Sequence, residues 1–328
     1  MTALLSQFGV VDESTYGTPV TVTRFYETDG IPDFQPDQGR AEAGSLRSGA
    51  RVQSSLDFVP FRRGAKLSVA MPVPTKNWGW WLKHLLGTTA TGSVSDSNYT
   101  HTGTVGTLLG DFFTSQIGVP LVGSATVQPF TLHGCKVESW ELSCDVDNLL
   151  RFSAEIDAED YDDSTSLASV SYPSGALVFA FVGATVSIAS STVNVKNVSI
   201  TGDTNLDTDR RFLKGSALKL EPLENGFREY GFSCEAEFTS LTQLNRFTDA
   251  DRADTLAEFK ATFDGPVAHG GTTLPRLEVT IPAARFDMVD LSTGDNGESI
   301  MQTISGVARY DLSNSPITIT YRTTDSTA

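Results

Sequence analysis

What this chain has little of narrows its function before any motif is sought. It carries three cysteines in 328 residues, Cys135, Cys144 and Cys234. The count is odd and no pair has C-x-x-C spacing, which excludes a disulfide framework and a thiolate zinc site. Cys144 and Cys234 fall on apolar strand faces and read as reduced core residues. Four histidines, His84, His101, His133 and His269, are scattered, none with a second ligand at zinc spacing. No apolar run approaches the roughly 18 residues that span a bilayer. The most apolar stretch, ALVFAFVGA at 176–184, reads as a buried strand. The opening MTALLSQFGVVDESTYGTP has neither a basic region nor a long apolar run, so it does not read as a signal peptide, and synthesis in a cytoplasm is expected.

Positive charge is also scarce. Forty acids against 24 bases leave a net charge of −16, whereas nucleic-acid binding needs bases to neutralise phosphates. An acidic balance serves solubility equally well. Catalytic signatures are missing too: no G-x-S-x-G elbow, Walker loop or Rossmann fingerprint occurs. GTVGTLLG (103–110) has the wrong glycine spacing for a phosphate loop and reads as the approach to a strand at DFFTSQI. DTNLDTD (203–209) begins like a calcium loop, but Thr208 stands where glycine is required and Lys214 where a bidentate Glu belongs, so it reads as a carboxylate turn. EIDAEDYDDS (155–164) concentrates acids without a paired base and reads as a charged loop past a strand end. No enzyme activity, cofactor or metal is expected.

Nineteen Phe and abundant Gly, Thr and Ser are present, a composition of many short strands and turns. Residues 29–55 form a long Gly-, Pro- and Ser-rich stretch of the kind that is functional or mobile. Between 40 and 66 lie Arg40, Arg47, Arg51, Arg62, Arg63 and Lys66 against only Glu42 and Asp57. Such a basic island in an acidic chain suits either an acidic surface on a neighbouring copy or plain solvation. KLSVAMPVP then predicts a strand, and TKNWGWWLKHLLG a helix capped by Thr75 and ended by Gly87. Trp78, Trp81, Leu82, Leu85 and Leu86 form its apolar stripe, a core-packing pattern. The plan recurs about 165 residues on: YGFSCEAEFTS predicts a strand, and LTQLNRF a short helix capped by Ser240 with Leu241, Leu244 and Phe247 on its apolar side. Two related halves of one domain are expected, at about 1–160 and 170–328. Strands at LEVTIPAARF and SPITITYRT close the chain, with turn signals at Asn225-Gly226 and Asn296-Gly297. The fold class is mainly β, a sandwich or barrel with one or two short flanking helices.

GCKVESWELSCDVDNLLRFSAEIDA (134–158) predicts a hairpin turning at Asp147-Asn148-Leu149. Trp140, Leu142, Cys144, Val146, Leu150, Phe152, Ala154 and Ile156 share one face. The other face carries Glu141, Asp145, Arg151, Glu155 and Asp157, and pairing Val146 with Leu150 would set Asp145 against Arg151 and Glu141 against Glu155. Like charges opposed across a ladder destabilise it, so this wall asks for a reason outside folding.

Several of these segments, in order, resemble the major tail tube protein of long non-contractile-tailed bacteriophages: FGVVDESTYGTPVTVTRFY, KLSVAMPVPTKNWGWWLKHLLG, HGCKVESWELSCDVDNLLRF and SPITITYRT. The resemblance implies a β-sandwich that oligomerises into rings, usually hexameric, stacked into a tube in the virion tail through which the genome passes. A trimer with pseudo-sixfold symmetry stays open. A long loop (29–60) and terminal arms (1–20 and 312–328) would bridge rings, with Arg40, Arg47, Arg51, Arg62 and Arg63 as contacts. Glu141, Asp145, Arg151, Glu155 and Asp157 would face the lumen, which DNA crosses without specific binding. Implied partners are further copies, the tape measure protein, tail terminator and tail tip proteins, and tail assembly chaperones, with no membrane. Two other readings are a terminator or distal tail ring protein, and a receptor- or carbohydrate-binding β-sandwich using Trp80 as an exposed aromatic platform.

Overall fold

The computed structural model describes residues 3–124, 126–248, 256–268, 271–292 and 299–328. His269 and the Asn296-Gly297 turn lie outside them. The fold is mainly β, as the composition predicts. The first group of strands is β1 (Gln7–Asp12), β2 (Arg24–Tyr26), β3 (Asp33–Pro36), β4 (Gly39–Glu42), β5 (Phe58–Arg62) and β6 (Ala65–Pro72). A 3-10 turn (Trp78–Trp80) and α1 (Trp81–Leu86) follow, then the hairpin β7 (Gly87–Ser93) and β8 (Tyr99–Val105). β9 (Phe113–Pro120), the long β10 (Val127–Asp145), β11 (Arg151–Ala158) and β12 (Asp160–Asp162) complete this group. The second group begins with β13 (Ala184–Ile188), β14 (Ser191–Val193), β15 (Val195–Asp203), β16 (Leu206–Asp207) and β17 (Leu223–Glu224). It continues through β18 (Glu229–Glu237), α2 (Thr242–Thr248), β19 (Leu256–Asp264), β20 (Arg276–Ser292), β21 (Met301–Ala308) and β22 (Thr318–Thr323).

Two long strands organise the layers. β10 bends at Gly134, whose φ of 61° is left-handed and suits glycine. Before the bend it pairs with β9 and β12; after it, with β11 and β15. β20 likewise pairs first with β19 and β22 and then with β21. Followed pair by pair, the ladders among the described residues branch at these two strands and form no closed circuit. One continuous antiparallel sheet runs β3-β6-β11-β10-β15-β18-β21-β20. The strands joined to the early parts of β10 and β20 form a second layer over its apolar face, with the core between, while β4–β5 and β16–β17 are separate two-stranded ladders.

The core is aromatic. Trp78, Trp81, Leu82 and Leu85 are all fully buried, as their helical stripe predicts. Trp78 meets the Phe152 ring edge-on at 5.4 Å, and Trp81 lies 5.1 Å from it. Phe232 stacks on Phe259 at 4.1 Å under the second group. Gly87 ends α1 with φ 100° and its N–H bonded to the Lys83 carbonyl. The start differs from expectation: Asn77, at φ 71°, takes the N-cap position, while the Thr75 hydroxyl accepts the Leu177 N–H. The second helix is also less buried than its pattern suggests, with Leu241 and Phe247 exposed and Gln243 turned inward.

Other expectations are corrected by pairing. The 29–60 stretch is not irregular throughout: it supplies β3 and the β4–β5 ladder, while residues 43–57 between β4 and β5 form no strand or helix. Residues 176–184 form bridges at Val178 and Ala180 and a 3-10 turn rather than a strand; Phe179 is buried, and Val182 is exposed. The terminal segments are docked rather than free arms. β1 lies between β2 and β9, β22 lies between β20 and β8, and Ile317, Ile319 and Tyr321 are fully buried. The Ala328 carbonyl accepts a hydrogen bond from Arg24 at 2.6 Å.

Candidate functional site

Alternation along the eight-strand sheet turns one set of side chains into the core and leaves the other set uncovered. The uncovered set is acidic and hydroxylic. β10 contributes Glu141, Ser143 and Asp145, and β11 contributes Arg151, Ser153 and Glu155. β15 adds Asn197, Ser199, Thr201 and Asp203; β18 adds Glu229, Ser233, Glu235 and Glu237. Thr303 and Ser305 on β21 and Asp287 and Asp290 on β20 extend the wall. Lys66, Arg151 and Arg285 are its few cations, and each has an acidic neighbour: Glu138, Asp29 and Asp287. At the middle of the wall Glu141, Glu155, Asp203 and Glu229 line one shallow concavity.

The β10–β11 register is two residues away from the expected one. Glu141 faces Ser153 on one side and Thr201 on the other, and Glu155 faces Ser139 and Ser68. The two glutamates therefore do not oppose one another. Each instead accepts a hydroxyl hydrogen bond, from Ser199 to Glu141 at 2.6 Å and from Ser68 to Glu155 at 2.7 Å. The shift arises because the turn residues have other partners. The Val146 N–H bonds to the Lys196 carbonyl, Leu149 bridges to Ala180, and the Leu150 N–H bonds to the Phe179 carbonyl. Val146 is consequently exposed rather than inside. Asp145 lies opposite Asn197, and Arg151 pairs with Asp29 instead of Asp145.

Asp157 is a second correction. It sits on the polar side of β11 but is buried, because the segment 204–222 folds across it and Lys219 meets its carboxylate at 2.5 Å. Burial pushes the Asp157 carboxyl up to about 6, against the pull of Lys219. The same segment is held to β10 by Lys136, whose ammonium lies 2.6 Å from Glu221. Alternation along β11 could not reveal a cover that arrives from so far along the chain.

The arginine island divides in two. Arg62 pairs with Asp37 at 2.5 Å and Arg63 with Asp160 at 2.8 Å, so both are engaged within the chain. Arg40, Arg47 and Arg51 lie on the β4–β5 arm, Arg40 with its guanidinium 6.0 Å from the Phe58 ring centre. The arm also exposes Leu46, Val52, Leu56, Phe58, Val59 and Phe61. These apolar side chains escaped the sequence reading, which followed charge; their clustering in a polar, glycine-rich stretch was the available signal. Clustered exposed apolar side chains rimmed by polar residues are the kind of patch that marks an interaction surface. The segment bearing β16 and β17 lies beside this arm, with the Arg63 N–H bonded to the Ala217 carbonyl, and exposes Phe212, Leu213 and Phe227.

Trp80 offers no aromatic platform. It is 4% exposed, packs on Trp81 and Phe113, and donates its indole N–H to Asp12, which also bonds His84 at 2.8 Å. Burial lowers the His84 pKa, opposed by Asp12. The DTNLDTD carboxylates are occupied locally: Asp203 accepts the Asn205 N–H and Asp207 the Asp209 N–H. Among the described residues no cluster of His, Cys, Asp and Glu is arranged to hold a metal, and no helix is long and apolar enough to cross a membrane. A family model described as phage tail tube protein matches residues 4–308. No curated protein matches the chain.

Proposed function

The chain belongs to the phage tail tube protein family, a structural part of the tail, and from that premise we propose that its copies join edge to edge into rings that stack into a tube for the genome. The observation that carries this reading is the uncovered face of the eight-strand sheet. A broad, continuous sheet with a packed apolar side and an acidic, hydroxyl-rich side suits the lining of a bore. Phosphates passing such a wall are repelled from all sides, so the duplex has no site at which to stick. Serine and threonine between the acids keep the lining wetted and moderate its self-repulsion. Sheet edges left open by one copy are satisfied by the next, and closure of the ring removes the edge altogether. Stacking is head to tail and has no built-in end, so a terminator and a length-setting partner are required. The β4–β5 arm, apolar and basic at once, is suited to reach an acidic neighbouring ring.

Negative-stain imaging of the purified chain tests the reading. Hollow tubes with a continuous central channel are expected, and a chain that stays monomeric at every concentration and salt would overturn it. Single rings that never stack would instead favour a ring component at one end of the tail.

A further inference from the structure

The pairing order of the first group of strands recurs in the second. In the first, β2 pairs with β1, β1 with β9, β9 with the early part of β10, and that part with β12. The later part of β10 pairs with β11, β11 with β6, and β6 with β3. In the second, β14 pairs with β13, β13 with β19, β19 with the early part of β20, and that part with β22. The later part of β20 pairs with β21, β21 with β18, and β18 with β15. Each of these ladders is antiparallel and has its counterpart in the same chain order, whereas the β7–β8 hairpin and its ladder to β22 have no counterpart among the described residues. The side ladders β4–β5 and β16–β17 also fall at matching places, between the third strand of each set and the next.

This correspondence gives each chain two equivalent units and one joint already made. Within the chain, the late part of β10 is laddered to β15, from Ser139↔Asp203 to Asp145↔Asn197. The counterparts of these two strands are the late part of β20 and β3. Among the described residues, β3 has β6 on one side only, and β20 beyond Arg285 has β21 on one side only. One unit's outgoing edge and the other unit's incoming edge are thus left open, at opposite ends of the eight-strand sheet. The wall-facing chemistry also matches. In the internal joint, acids of β10 meet amides and hydroxyls of β15, with Asp145 opposite Asn197 and Glu141 opposite Thr201. At the open ends, Asp290 is exposed on β20, and Gln35 is exposed on β3. β3 is the shorter strand and ends in Pro36, which lacks an N–H, so the joint between copies has fewer hydrogen bonds than the internal one.

We propose that three copies of this chain close one ring, the Phe286–Ser292 edge of each laddered to β3 of the next in the manner of β10 with β15. The inference rests on the tube reading above and fixes the count. Strands stand about 4.8 Å apart, so about 24 of them enclose a circle about 37 Å across before tilt widens it. Two copies would enclose about 24 Å between backbones, and inward side chains reduce that below the width of a duplex. Six copies would enclose about 73 Å, too wide for the wall to guide a duplex on all sides.

Two cysteine variants of the full chain test the joint and the count together: Gln35→Cys combined with Asp290→Cys, and Asp33→Cys combined with Asp290→Cys, both in assembled particles under mild oxidation. The expected products on a non-reducing gel are linked dimers and trimers, with nothing larger, and threefold averages of ring end views. Linked species extending to hexamers, with six chains per ring, would overturn the threefold count and leave the tube reading intact. Tubes without cross-links in either pair would overturn the β20–β3 joint. Absence of any ring would overturn the tube reading as well.

Discussion

Asp157 and Lys219 show how far a single side chain can depart from what its strand position suggests. Both are about 3% exposed, and burial raises the carboxyl to about 6. An unfolded aspartate titrates at about 3.9, so between that value and about 6 the folded chain holds the extra proton. Stability from this group is therefore greatest at low pH and is lost as pH rises through that window. Above it the ionised carboxylate depends on Lys219. Lys219→Met would strand a buried charge at pH 8, at a cost of about 3–5 kcal/mol, and cost much less at pH 5, where Asp157 takes up a proton. Urea unfolding of the variant and the parent at both pH values measures this; an equal loss at both would mean that the carboxylate is not buried. Nothing in the order EIDAEDYDD marks Asp157 as different from Glu155. The distinction comes from residue 219, more than sixty positions away.

At the scale of elements, what was legible was local. Alternation placed Leu142, Phe152, Ala154 and Ile156 inside and Glu141 and Glu155 outside, because a strand's period of two is fixed by its own backbone. The stripe on α1 and its glycine stop were readable for the same reason. Register was not, since the ladder of β10 is set by β15, β11 and the 178–180 segment together. The bend at Gly134 belongs to this class: the sequence shows only a glycine before Cys135. A Cβ there would lie 2.8 Å from Glu159 Cβ and 3.0 Å from the Tyr16 ring, in a backbone conformation that L side chains resist. Gly134→Ala is expected to lower stability by about 1–3 kcal/mol by denaturant titration. Gly123→Ala, also at positive φ (77°) but with open space around it, should lose about 1 kcal/mol or less. Equal losses would show that the crowding against Glu159 and Tyr16 is relieved at no cost.

The whole molecule presents two surfaces that folding alone does not explain, and they make separable predictions. The acidic face contributes little to core packing, so Glu141→Lys, Glu155→Lys, Asp203→Lys and Glu229→Lys combined should leave tubes intact by electron microscopy while slowing genome ejection. Its salt response should also change. Attraction to phosphates weakens as salt rises, so raised ionic strength should restore much of the lost speed. Ejection at the parent rate in low salt would remove this face from the bore. On the proposed reading the β4–β5 arm serves assembly along the axis instead. Replacing residues 43–57 by a short glycine-containing turn deletes Leu46, Arg47, Arg51, Val52 and Leu56, yet leaves the Arg62–Asp37 pair and the β3–β6 ladder in place. If rings close through sheet edges and stack through the arm, as proposed, this variant should form discrete rings with an unchanged number of copies. Full-length tubes from the shortened chain would show that the apolar side chains of the arm serve some other contact. Loss of rings altogether would show that closure and stacking are one event rather than two.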